Sequence, residues 1–106
     1  MKLPDKERLK FWGSVLESLW ICKGFDDDLK PVLFYWLKDW VSVRRISKLE
    51  KQRNFYTFSI ELKNEIQDWL ILIDVAIFQN YMIVNRTQCG IKEVKTYEYD
   101  VIKRRM

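Results

Sequence analysis

Histidine is absent from the chain, and glycine, proline, cysteine and alanine are scarce, at three, two, two and one residue in 106. Without an imidazole there is no histidine-dependent zinc site, no Ser-His or Cys-His nucleophile pair and no histidine general base. Any catalysis would fall to carboxylates, Lys or Tyr, and a non-enzymatic protein with no cofactor, metal or small-molecule ligand is the expectation. Cys22 and Cys89 lie far apart with no CxxC spacing, which predicts two buried, reduced thiols rather than a disulfide. The few Pro and Gly are scattered, so no linker, low-complexity tract or repeat divides the chain, and a single domain over residues 1–106 is predicted.

Long apolar runs are missing as well. The longest, Trp69 to Phe78, is interrupted by Asp74 and is about half the ~20 residues that span a bilayer. The N-terminal segment is charged and amphipathic, without the apolar core of a signal peptide. A soluble, cytoplasmic protein is expected. Ala76 is the only alanine, while Ile, Lys, Phe and Tyr are abundant; AT-rich coding imposes this bias, which viral and low-GC bacterial proteins share.

What the chain does contain is 48% apolar residues, five of them Trp, enough for one core. Leu9, Trp12, Leu16, Leu19 and Trp20 recur at helical spacing behind Pro4-Asp5, predicting a helix over about 5–22 that Lys23-Gly24 closes. Asp26, Asp27 and Asp28 resemble a helix start, and Pro31 is tolerable in a first turn. The stripe Leu29, Leu33, Trp36, Leu37, Trp40, Val43, Ile46 and Leu49 then predicts a second helix over about 28–50, bent near the β-branched Val41-Ser42-Val43.

After Asn54 the period changes to two. Tyr56, Phe58, Ile60 and Leu62 form one strand, Trp69–Phe78 a second and Tyr81–Gln88 a third, with Gln79-Asn80 as a tight turn and Cys89-Gly90 as the next. A helix capped at Asn64 and running through Ile77 is the alternative for the middle stretch. Glu93–Lys103 alternates as the last strand. The predicted fold is α+β, two N-terminal helices on one face of a four-stranded antiparallel meander, ααββββ.

Three constellations bear on function. The first is basic: residues 1–53 hold twelve Lys/Arg against eight Asp/Glu, while 54–106 hold seven of each. Arg44, Arg45, Lys48, Lys51 and Arg53 would gather at the end of the second helix, with Phe55 or Tyr56 near for stacking, a pattern suited to a nucleic-acid backbone. The second is apolar. A two-residue turn sets Phe78 opposite Tyr81, Ala76 opposite Ile83 and Asp74 opposite Asn85, leaving Leu70, Leu72, Phe78, Tyr81 and Ile83 on the sheet face away from the helices. That face would take a protein partner or form a homodimer, as in a viral inhibitor or host-modulating factor. The third, Asp74 followed by Glu93-Val94-Lys95, resembles the D…ExK signature of restriction-type nucleases, which would imply Mg²⁺ held by Asp74 and Glu93 with Lys95 assisting water. The same register sets Glu93 opposite Arg86, on the face away from Asp74, and acid-x-Lys recurs at Asp28–Lys30 and Glu61–Lys63.

Overall fold

In the computed structural model, which describes residues 2–25, 29–33, 41–64 and 66–105, the first apolar stripe forms helix α1, Lys6–Ser18. Asp5 caps it by accepting the Arg8 N–H at 2.8 Å. The helix stops short of the expected residue 22. Trp20 adopts a left-handed φ of 61°, and the N–H groups of Trp20 and Ile21 donate to Glu17 O at 2.9 Å and Leu16 O at 3.0 Å. These are the paired bonds of a Schellman end, made by a Trp where glycine is usual. Lys23-Gly24, expected as the cap, lies inside strand β1 (Cys22–Phe25), which pairs with β2 (Pro31–Leu33). Gly13 makes this ribbon's approach feasible, since a Cβ there would run into the Phe25 ring.

Among the described residues of 28–50 the predicted second helix is not found, and the ααββββ arrangement is overturned with it. Its N-terminal Asp26, Asp27 and Asp28 and its central Trp36, Leu37 and Trp40 fall outside the described residues. Leu29 has a φ of 63°, which no helix accommodates. The regular structure in the described part of this span is strand: β2, then β3 (Val41–Ile46) and the short β4 (Glu50–Lys51), both paired antiparallel with β5 (Tyr56–Asn64). The physical reason is visible in the residues. Val41, Val43 and Ile46 are β-branched, and the alternating β5 offers this segment a backbone ladder that outweighs a 3.6-residue stripe of modest local propensity.

The remaining strands are β6 (Trp69–Ile77), β7 (Tyr81–Gln88) and β8 (Ile91–Glu98), followed by a short helix α2 (Tyr99–Arg105). The large sheet has the order β3-β5-β6-β7-β8, with β4 also on β5. The predicted register holds: Ala76 faces Ile83, Asp74 faces Asn85 and Glu93 faces Arg86, and Phe78 N–H donates to Tyr81 O at 2.9 Å. The helix through Ile77 does not form. Asn64 instead caps a turn, its Oδ1 accepting from Ile66 and Gln67 N–H at 3.0 and 2.9 Å. At the other end the expected strand to Lys103 breaks at Tyr99. Its N–H donates to Asn80 O at 2.8 Å, and its ring lies 4.6 Å from Phe11, centre to centre. The Arg8 guanidinium stands 3.4 Å over that ring.

The core lies between α1, β1 and one face of the large sheet. Leu9, Trp12 and Leu16 meet Phe58, Ile60, Ile71, Ile73, Ile77 and Met82, all buried. This is the face the alternation assigned to helical cover. Trp12 Nε1 donates to Phe78 O at 3.1 Å, pinning α1 to the β6–β7 turn.

Candidate functional site

The cationic cluster survives the loss of its helix. A bulge between Val43 and Arg45 places Arg44 as the extra residue beside Glu61. Arg44 Nε and Arg45 Nη2 therefore both approach its carboxylate, at 3.9 and 3.6 Å. The link 47–49 is tied to β5 through Ser47, whose N–H donates to Ser59 O at 2.9 Å while its Oγ accepts from Ser59 N–H at 2.7 Å. Lys48, Lys51 and Arg53 project from this ribbon, exposed, and make no ion pair among the described residues. Alongside β5 the ribbon runs from Glu61, opposite Arg45, to Tyr56, opposite Lys51, or about 17 Å at ~3.3 Å per residue. The structure thus keeps all five predicted residues, Arg44, Arg45, Lys48, Lys51 and Arg53, on one edge of the sheet, as an extended ribbon rather than a helix face.

Of the two aromatics named for stacking, Tyr56 packs against the core. Phe55 is half-buried at the end of the ribbon, with its ring 4.7 Å from Phe78 and nearly parallel at 23°. Phe78 in turn stacks on Tyr81 at 4.4 Å and 11°. This three-ring ladder across the strand ends was not foreseen, although the Phe78–Tyr81 pairing carried the signal for part of it.

Among the described residues the predicted apolar face is open, but it is not continuous. Leu70 and Leu72 are exposed at one end of β6, while Phe78, Tyr81 and Ile83 are half-buried toward the other. A polar row separates them, Ser59 beside Asp74 beside Asn85, with Ser59 Oγ donating to Asp74 Oδ1 at 2.7 Å.

The nuclease-like residues are divided by the sheet. Asp74 sits on the open face, whereas Glu93 pairs with Arg86 on the α1 side, where its carboxylate meets Lys95 Nζ at 3.7 Å. The two carboxylates cannot share one cation, and no group of three or more metal-ligating side chains gathers among the described residues. Glu93, Lys95, Arg86 and Tyr97 instead wall a hollow of about 190 Å³ floored by Leu19, Ile21, Ile73 and Val84. Arg86 Nη2 donates to Gln88 Oε1 at 2.7 Å there.

Both cysteines are free. Cys22 is buried as expected, but Cys89 is exposed, because with Gly90 it forms the tight β7–β8 turn at φ 52° and 79°. Among the described residues no helix is long and apolar enough to cross a membrane. No protein-family model, curated protein or solved structure matches the chain.

Proposed function

We propose that the protein is a non-enzymatic binding protein that holds a nucleic-acid backbone along the β3–β4 ribbon. The observation that carries this reading is the exposure of Arg44, Arg45, Lys48, Lys51 and Arg53 along one sheet edge, with Glu50 and Glu61 as the only carboxylates on the same stretch. An extended row of cations follows a phosphate chain without reading bases, so binding is electrostatic and tolerant of sequence. Phe55, next to the end of the ribbon, supplies an aromatic ring to an unpaired base, which favours single strands. The open face supports a protein partner less well, because the Ser59–Asp74–Asn85 row divides its apolar residues.

Filter-binding titrations over a range of salt concentrations test the reading. Wild type binds single-stranded oligonucleotides of unrelated sequence alike, and the affinity falls steeply with salt. Changing Arg44, Arg45, Lys48 and Lys51 to Ala weakens binding and flattens the salt slope by up to about 3, at ~0.7 per lost phosphate contact. Unchanged affinity and slope in a variant with the wild-type circular dichroism spectrum would remove the ribbon from the function.

A further inference from the structure

The large sheet has two edges, and they differ in kind. One is the cationic ribbon. The other is β8, whose first six residues, Ile91 to Thr96, are all exposed, Ile91 at 73% and Val94 at 53%. Among the described residues no strand pairs with its outer side.

The backbone directions of β8 follow from its two ends. Gln88 and Ile91 close the two-residue turn as partners, and Tyr99 N–H donates to Asn80 O on the β7 side. Odd-numbered residues of β8 therefore spend their main-chain groups on β7, and Lys92, Val94 and Thr96 aim theirs at the free edge. A long edge strand in this state is a template for another strand.

We propose that two copies of this chain join antiparallel through β8, with the two-fold axis passing through Val94. Side chains directly opposed in an antiparallel pair share a face, so residue numbers in each pair must both be odd or both even. That leaves few registers. Centring on Glu93 or Lys95 sets like charges face to face. Centring on Val94 sets Glu93 against the second copy's Lys95, and Lys95 against its Glu93. It also sets Ile91 against Tyr97, Lys92 against Thr96 and Val94 against itself. Val94 becomes a hydrogen-bonded pair and Glu93–Lys95 the closer, non-bonded pair in which side chains interact best. About six main-chain hydrogen bonds close the edge. Lysines on an edge strand ordinarily discourage pairing; in this register Lys95 meets a carboxylate and Lys92 a hydroxyl. The dimer is a single extended sheet with a cationic ribbon at each far end, and its formation assumes nothing about what those ribbons bind.

Sedimentation equilibrium with charge reversal tests the proposal. Wild type sediments as a dimer. Lys95→Glu and Glu93→Lys each replace two opposite-charge pairs by two like-charge pairs, and each weakens the dimer on the order of tenfold or more. The double reversal Glu93→Lys, Lys95→Glu restores it. Val94→Pro removes an N–H that faces the free edge and not β7, so it yields a monomer with the wild-type circular dichroism spectrum. The proposal is overturned by a wild type that is monomeric at about 0.5 mM, where even weak dimers of this order are populated. It is equally overturned by dimers indifferent to the single reversals, or by dimers lost instead through Leu70→Ser and Leu72→Ser on the open face.

Discussion

The two faces of the large sheet are built from the same strands and end in opposite environments. On β6, Ile71 and Ile73 are 0% and 1% exposed, while their neighbours Leu70 and Leu72 are 36% and 37% exposed. Side-chain apolarity does not account for this difference, since all four are large aliphatics. The cross-strand partners do. Ile60 and Leu62 oppose Ile73 and Ile71, whereas Glu61 and Lys63 oppose Leu72 and Leu70. α1 then covers the side on which both strands are apolar. A strand's inside is thus chosen by the strand next to it.

The largest effect that separates the faces is loss of core volume. Ile73→Ala leaves a cavity among Ile60, Ile71 and Val84 and costs about 2–5 kcal/mol, read from urea denaturation midpoints. Leu72→Ala, one residue away and chemically similar, stays within about 1 kcal/mol. Equal losses at the two positions would show that the open face is closed in solution.

The thiols repeat the contrast with a smaller effect and a pH signature. Burial pushes the Cys22 thiol up from 9.0 to about 12. The folded state then keeps a proton that the unfolded state releases above pH 9, so Cys22 favours folding least at high pH. Between pH 9 and 12 wild type loses stability relative to Cys22→Ala at up to ~1.4 kcal/mol per pH unit, and below pH 9 the difference between them is flat. Thiol titration at neutral pH finds Cys89 reactive at once and Cys22 only after unfolding. A pH-independent difference would mean that Cys22 meets water in the folded protein.

How much of this was legible follows the same division. In the second half of the chain, alternation in β5 and the two-residue turns at Gln79-Asn80 and Cys89-Gly90 fixed pairing, register and core face, because a short turn leaves one register and the period of two leaves one inside. In the first half, Leu29 to Leu49 satisfied a helical stripe that took in Ile46, and only the β-branched Val41 and Val43 weakened it. Their partner β5 lies later in the chain, so the deciding interaction is non-local. The basic residues of the candidate site could be picked out by type and not by geometry. Five cations close in sequence remain close on any backbone, yet the bulge that sets Arg44 and Arg45 around Glu61 depends on a pairing that no local pattern revealed. The break at Tyr99 was hidden for the same reason, since Phe11 and Arg8 capture its ring from the far end of the chain.

The smallest predicted effect is the one that tests the open face most directly. Ser59 Oγ donates to Asp74 Oδ1 at 2.7 Å, and both side chains are exposed. A hydrogen bond that water can replace contributes little net stability, whereas the same bond shielded from water leaves a carboxylate unsatisfied when its partner is removed. A double-mutant cycle of Ser59→Ala and Asp74→Ala isolates the pair from the change in strand propensity that each substitution brings. With the face open, the coupling is about 0.5–1 kcal/mol and shrinks in high salt, since the acceptor is charged. A salt-insensitive coupling above about 2 kcal/mol would place the pair in a dry environment. The difference between the two faces would then be one of side-chain chemistry alone, with both of them closed.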